Sequence, residues 1–174
     1  MPQTSLVLTI LGPDRPGLVE SIARLVAEHG GNWLESRMAH LAGQFAGILR
    51  VEVEESRAES LTQSLAGLTQ SGLETIVHPD PATAIPADRP LVKLDLLGQD
   101  RPGIVRQISG VLAALGVNVE ELNTHCRAAA ETGQPLFHAT ADLRLPPDVS
   151  EDDLRIALEN VAADLMVDVK LASK

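Results

Sequence analysis

The chain has 174 residues, a formal net charge of −10 and an apolar fraction of 44 %. It is therefore too apolar for a disordered protein and suits one domain or two small ones. Aromatic residues make up only 2 %, so the core must be aliphatic. Direct binding to DNA or RNA usually needs a basic patch, and no cluster of Lys and Arg interrupts this acidic sequence. We therefore expect no direct contact with nucleic acid.

The sequence carries no sign of export or membrane insertion. Cys126 is the only cysteine, which excludes an intrachain disulfide and fits a reducing compartment. The N-terminus lacks the basic region and long apolar stretch of a signal peptide. No apolar run approaches the roughly 20 residues that span a bilayer. We expect a cytoplasmic protein without a membrane partner.

In the first half, the apolar pattern predicts alternating strands and helices. Pro16 should lie in the first turn of a helix, where its missing N–H costs nothing, and Gly30-Gly31 should end that helix. A tight turn is expected at Ala42-Gly43. The predicted elements are a strand over 6–11, a helix over 16–29, strands over 32–41 and 44–53, a helix marked by Leu61, Leu65 and Leu68, and a strand over 73–77.

The second half repeats this order after a proline-rich segment. Residues 78–90 contain four prolines, which exclude a helix or a central strand. We therefore predict a first domain over residues 1–78, a linker over 79–90 and a second domain over 91–174. Predicted elements of the second domain are strands over 91–97, 117–127, 136–145 and 166–171, a helix over 102–115 and a helix capped near Ser150.

The two halves are copies of one unit. Residues 8–38 and 94–124 are identical at more than a third of their positions, and Asp-Arg-Pro-Gly recurs 86 residues later. Each unit reads βαββαβ, in which right-handed crossovers put both helices on one face of a four-stranded antiparallel sheet. The predicted fold class is therefore α+β, with two ferredoxin-like domains. The bare face of each sheet should need cover, so we expect the units to pack together or the chain to dimerise.

The repeated loop, Gly12 to Gly17, joins a strand end to a helix start. Backbone N–H groups and the helix dipole attract anions there, and glycines let a ligand approach the backbone. With the carboxylate of Asp14 and an amide from Asn32, such a place would suit a zwitterion such as an amino acid. Structural alternatives stay open: Asp14 as a helix cap, Gly17 for helix–sheet packing and Asn32 as a turn residue.

These motifs resemble the ACT domain, a regulatory module of amino-acid metabolism. The pattern strand–GxDRPG–helix–GxN–strand occurs twice, so the resemblance covers nearly the whole chain as a tandem pair. Residues 32–49 also resemble the first unit of the glycine cleavage transcriptional repressor family. The signature Glu35–Met38 is not repeated at Glu121–Thr124, so we expect the first unit to bind ligand and the second to serve pairing.

The resemblance implies a site, an effector and a partner. ACT domains bind amino acids at pairing interfaces, through the loop after the first strand and the start of the second. In this chain those positions are Gly12, Asp14 and Asn32 in the first unit and Gly98, Asp100 and Asn118 in the second. The resemblance implies no cofactor, an amino-acid effector such as glycine or serine, a homodimer, and control of glycine cleavage or one-carbon genes through a DNA-binding transcription factor. The alternative is a ligand-independent interaction or allosteric module.

We expect neither a metal site nor an enzyme. The five histidines are dispersed, and no CxxC or zinc-type spacing occurs. His125 and Cys126 are adjacent, so on a strand they point to opposite faces. Cys126 is expected to be a small buried residue and Trp33 to pack at an interface. Arg37 is expected to pair with Glu35 or Glu52.

Overall fold

The computed structural model describes residues 1–80, 89–130 and 132–173 and contains two compact units, Met1–Ala84 and Ile85–Lys174. Most of the predicted linker, residues 81–88, lies outside the described residues. The first unit consists of β1 (Gln3–Pro13), α1 (Leu18–Glu28), β2 (Asn32–Leu41), β3 (Gln44–Glu54), α2 (Glu55–Ala66), a 3₁₀ turn (Gly67–Ser71) and β4 (Glu74–Pro79). The second unit consists of β5 (Leu91–Gln99), α3 (Ile104–Ala114), β6 (Asn118–Ala128), β7 (Pro135–Arg144), α4 (Glu151–Leu165) and β8 (Val167–Ser173).

Both units have the predicted βαββαβ order and the same sheet. The strand order is β2-β3-β1-β4 in the first and β6-β7-β5-β8 in the second, and all paired strands are antiparallel. β2 and β6 are therefore edge strands in the described sheets. The fold class predicted from the repeat is confirmed.

Each core lies between the sheet and its two helices. Leu8 and Ile10 of β1 and Leu49 and Val51 of β3 are almost completely buried beneath Ile22 of α1. The alternate residues of β7 that face the helices, from Phe137 to Leu143, are likewise buried. The two cores are separate clusters of aliphatic side chains, as the shortage of aromatic residues requires.

The outer faces of the two sheets differ in chemistry. In the first sheet, Leu11, Ile48 and Ile76 are exposed apolar residues at neighbouring positions. In the second sheet the corresponding face carries charged and polar residues, among them Asp95, His138 and Lys170. We expected the bare face of each sheet to need cover, and among the described residues only the first sheet has exposed apolar side chains there that would require it.

The helix boundaries show why the glycines recur. Gly17 has φ +90° and directly precedes α1, and Gly103 has φ +96° before α3. Both helices consequently begin two residues after the proline, so the placement of Pro16 in the first helical turn is wrong. At the other end of α1, Gly30 has φ +68°, and the N–H groups of Gly30 and Gly31 donate to Ala27 and Val26. This αL ending is the predicted one.

Candidate functional site

The loop after β1 is held by its own backbone. The Asp14 N–H donates to the carbonyl of Gly43 over 2.9 Å, and Arg15 Nη2 donates to the carbonyl of Ser71 over 2.8 Å. No side chain caps α1, so Asp14 is not its N-cap. The Asp14 side chain is exposed and free to face solvent or a ligand.

The loop after β5 repeats this arrangement with one addition. The Asp100 N–H donates to the carbonyl of Pro135 over 2.9 Å, and no side chain caps α3. Removal from solvent and the nearby Asp100 carboxylate raise the pKa of the Cys126 thiol. Cys126 itself is exposed, so the prediction of a buried residue is wrong. Its partner in register, Phe137, is buried, whereas the Cys126 side chain at the sheet edge is exposed.

Gly12 and Gly98 are packed against their own units. A Cβ on Gly12 would lie 2.5 Å from the carbonyl oxygen of Gly72, and a Cβ on Gly98 would lie 2.5 Å from Val167 Cγ1. Glycine is therefore required at both positions because the chain entering the last strand crosses there. The side of Gly12 or Gly98 from which a ligand could approach is therefore already occupied by the chain that enters β4 or β8.

Gly17 has a different reason for being glycine. A Cβ there would meet nothing within 4 Å, so helix–sheet packing does not require it. The left-handed φ of +90° is costly for residues that carry a Cβ. The glycine thus serves the turn into α1.

Asn32 lies far from the loop within its own unit. Pro13 pairs with Gln44, whereas Asn32 pairs with Glu52 at the other end of β3. Eight strand residues at about 3.4 Å each put these ends about 27 Å apart. Within one unit, Asp14 and Asn32 therefore cannot contact the same amino acid.

The second unit has the same separation. Gln99 pairs with Leu136, and Asn118 pairs with Arg144 at the far end of β7. The structure thus brings Gly98 and Asp100 together and places Asn118 at the opposite end of the sheet, as it does for Gly12, Asp14 and Asn32. From the sequence, we expected Asn32 and Asn118 to lie beside the loops that follow β1 and β5. In the structure β2 and β6 begin at the end of the sheet where β1 and β5 begin, whereas the loops lie at the opposite end.

An apolar groove runs along the edge strand of the second unit. It lies between α3 and the helix-facing side of β6, encloses about 430 Å³ including open solvent, and contains Val105, Val119, Leu122 and Thr124 in its walls. The first unit has bulkier residues at two of these positions. Trp33 and Met38 correspond to Val119 and Thr124 in the repeat and pack against the first core.

The remaining predictions are resolved by these contacts. Trp33 packs on the core of its own unit, and the prediction that it lies at an interface stays a prediction. Arg37 lies opposite Ile48, and Glu35 lies opposite Arg50. Arg37 makes no ion pair within 4.0 Å among the described residues, so its predicted pairing is wrong.

The predicted absences can be examined only over the described residues. Across residues 1–80, 89–130 and 132–173, no three His, Cys, Asp or Glu side chains are grouped so that they could hold a metal ion. In the same part of the chain, every helix is too short or too polar to cross a bilayer.

Comparison with known proteins agrees with this fold. The family model described as "ACT domain" matches residues 4–78. The match covers nearly all of the first unit, which therefore resembles an ACT domain. The second unit repeats the same strand and helix order, so the whole chain resembles a tandem ACT-type protein.

Two whole-length comparisons extend this result past the first unit. The glycine cleavage system transcriptional repressor of Escherichia coli is 26 % identical over 167 residues, which cover 94 % of this chain and 86 % of the repressor. A crystal structure of a protein from Galdieria sulphuraria, described only as unknown, has a TM-score of 0.89 with 27 % identity and 99 % coverage of both chains.

A third comparison concerns the fold alone. The crystal structure of a putative glycine cleavage system transcriptional repressor has a TM-score of 0.71 with 20 % identity, covering 100 % of this chain and 99 % of that one. The tandem arrangement of two βαββαβ units is therefore also found in that structure. The chain resembles the glycine cleavage repressor in both sequence and fold.

Proposed function

We propose that this protein is an amino-acid-sensing regulator whose ligand site is completed by a second copy of the chain. The observation that carries the proposal is the separation of about 27 Å between the Asp14 loop and Asn32 along one sheet. Antiparallel pairing of β2 with β2 of a second copy would place Asn32 of one copy beside the end of β2 in the other. That end adjoins Gly43, whose carbonyl holds the Asp14 backbone.

The edge strands support pairing between copies. An edge strand presents unpaired N–H and C=O groups that another strand can satisfy, and two-fold symmetry would use the same edge of each copy. In the second unit the apolar groove lies directly beside the edge strand β6. We therefore assign ligand binding to the β2–β2 contact between first units and the main stabilisation of pairing to the second unit, with a homodimer as the functional state.

The regulatory role rests on similarity to the glycine cleavage repressor. We propose that the protein regulates glycine cleavage or one-carbon genes in the cytoplasm, with glycine or serine as effector and no cofactor. It would act by binding a DNA-binding transcription factor, because the net charge of −10 opposes direct contact with phosphates. No role as an enzyme is proposed.

A ligand-independent interaction module is the second candidate. The packing of Gly12 against Gly72 and Leu73 favours it, because the fold alone explains this part of the motif. This candidate predicts that the Asp14→Ala and Asn32→Ala variants bind the partner protein as the wild type does, whether or not an amino acid is present.

Calorimetry with mixed variants tests the shared site. Asp14→Ala and Asn32→Ala should each abolish binding of glycine, serine or whichever amino acid the wild type binds, whereas Asp148→Ala, an exposed loop residue, should not. A heterodimer of the two variants carries both substitutions in one site and neither in the other. After subunit exchange about half of the dimers are heterodimers, and one of the two sites in each heterodimer is intact. Mixing should therefore restore about a quarter of the wild-type binding capacity.

Two results would contradict the proposal. Restoration would fail if both residues acted within one copy, since every site would then carry one substitution. If the wild type binds none of the amino acids at millimolar concentration, ligand sensing itself is wrong and the interaction module remains.

Sedimentation velocity tests the pairing surface separately. Leu122 lies in the groove wall and is 51 % exposed, whereas Ile156 on α4 is 60 % exposed and lies outside the groove. Leu122→Glu should raise the dimer dissociation constant at least tenfold, because it would bury an unpaired charge in the interface. Ile156→Glu should leave it unchanged. Equal effects would exclude the groove as the pairing surface.

A further inference from the structure

A histidine pair lies on the outer face of the second sheet. His125 on β6 and His138 on β7 are directly opposite in register. Their rings are nearly perpendicular, with centroids 4.8 Å apart, and Nε2 of His125 lies 3.4 Å from Nδ1 of His138. The other nitrogen of His138, Nε2, lies 3.3 Å from Asp95 Oδ2.

The carboxylate of Asp95 orients His138. A proton on Nε2 of His138 would be donated to Asp95, which leaves the lone pair of Nδ1 facing His125. Ligating histidines in metal sites commonly have such a carboxylate on the second ring nitrogen, because it fixes the tautomer and raises the basicity of the ligating nitrogen. The side chain of His138 is 24 % exposed and that of Asp95 is 47 % exposed, so an ion in solvent can reach both side chains.

The spacing of the two nitrogens suits a shared ion. Two tetrahedral ligands, each about 2.0 to 2.1 Å from a zinc ion, have nitrogens about 3.3 Å apart. The observed 3.4 Å therefore matches the nitrogen separation of such a site, and ring rotation would turn the two lone pairs from each other toward the ion. The proton of His125 would move to Nδ1 when Nε2 binds the ion.

We propose that His125 and His138 bind a divalent transition-metal ion on the open face of the second sheet, with Asp95 as the residue that positions His138. Two imidazoles supply two coordination positions, and water fills the others. Imidazole favours copper, nickel and zinc, with copper binding most tightly.

Two cationic side chains lie near the histidine pair, on the same face of the sheet. Arg127 lies two residues beyond His125 on the same face, and Lys170 lies opposite Asp95. These cations repel every divalent ion alike, so electrostatic attraction alone cannot hold one here. Calcium and magnesium prefer oxygen ligands and gain little from two imidazoles. An ion that bonds to imidazole nitrogen is therefore required, and a carboxylate-seeking ion is not expected.

The first unit provides an internal comparison. In the repeat, Thr9, Ala39 and Ala46 occupy the positions of Asp95, His125 and His138, and Ala39 lies opposite Ala46 in the same register. The trio is thus a feature of the second unit alone. Alanine at both histidine positions is compatible with this sheet, which makes His125→Ala and His138→Ala conservative tests.

The experiment is titration of the full-length protein with copper, nickel or zinc chloride at about pH 7.5, followed by calorimetry and, for copper, by electron paramagnetic resonance. The wild type should bind one ion per chain, most tightly for copper, with a spectrum showing two nitrogen ligands. His125→Ala and His138→Ala should each weaken binding at least tenfold, and the double variant should lose little more. Asp95→Asn should weaken binding about 10- to 100-fold while the two-nitrogen spectrum remains.

Transfer of the site to the first unit gives the converse test. The triple variant Thr9→Asp, Ala39→His and Ala46→His should raise the stoichiometry to two ions per chain. His40→Ala and His78→Ala, which remove surface histidines of the first unit, should leave affinity unchanged. The proposal is overturned if the wild type and the double alanine variant bind equally, or if every histidine variant loses affinity to the same extent. Because these readouts need no amino acid, they are independent of the proposed sensing function.

Discussion

Replacement of Gly12 by alanine separates a structural role of the motif from a ligand-binding role. A Cβ at Gly12 would lie 2.5 Å from the Gly72 carbonyl oxygen and 3.2 Å from Leu73 Cα. Because both atoms belong to the backbone, relief requires the start of β4 to move. Overpacking of this kind costs about 1 to 3 kcal/mol, which in a domain of this size lowers the melting temperature by about 5 to 20 °C.

The sole tryptophan makes this measurement specific to one unit. Trp33 packs against the first core, so its fluorescence in urea follows unfolding of the first unit. Gly12→Ala should shift that transition to lower urea without any ligand present. Gly98→Ala, which would place a Cβ 2.5 Å from Val167 Cγ1, should shift the circular dichroism of the second unit and leave the Trp33 transition in place.

Gly67 and Gly17 supply matched controls. Gly67 has φ −60° and open space around a Cβ, so Gly67→Ala should be neutral or stabilise by about 0.4 to 1 kcal/mol. Gly17→Ala meets no atom but requires a left-handed φ, which costs about 1 to 2 kcal/mol. If Gly12→Ala were as stable as Gly67→Ala, the crossing of β4 would not be the reason for this glycine.

Three further predictions concern individual side chains. Cys126, with its raised pKa, should react with a thiol reagent more slowly than free cysteine at the same pH, and Asp100→Asn should accelerate the reaction. Ser150→Ala should cost about 1 kcal/mol in urea unfolding, since the Ser150 hydroxyl and N–H both bond Asp153 and lower the pKa of its carboxyl. Because that folded pKa is depressed, the stabilisation is present above the ordinary carboxyl pKa and lost as pH falls through the folded one, so the two proteins should converge in stability in acid. Leu8→Ala, at a completely buried position, should cost about 2 to 5 kcal/mol, whereas a cost below 1 kcal/mol would contradict its place in the core.

The linear sequence was sufficient for the fold because its signals are local. Alternation over β1 and β3, the glycine pair at Gly30-Gly31 and the turn at Ala42-Gly43 each depend on neighbouring residues, and the duplication supplied each signal twice. The helix cap near Ser150 was predicted for the same reason, and in the structure it is a capping box with Asp153. Boundaries were less accurate at the loop after β1, where a left-handed Gly17 delays the helix beyond Pro16.

The relations across strands were decided only by the tertiary structure. Asn32 seemed to adjoin the Asp14 loop, yet strand direction puts it at the other end of the sheet. Dispersed histidines gave no zinc-type spacing, yet a hairpin places His125 opposite His138. Sequence spacing measures distance along the chain, whereas antiparallel pairing joins residues by register. The sequence by itself therefore determined two ACT-like units, and strand pairing within each unit decided which side chains can act together.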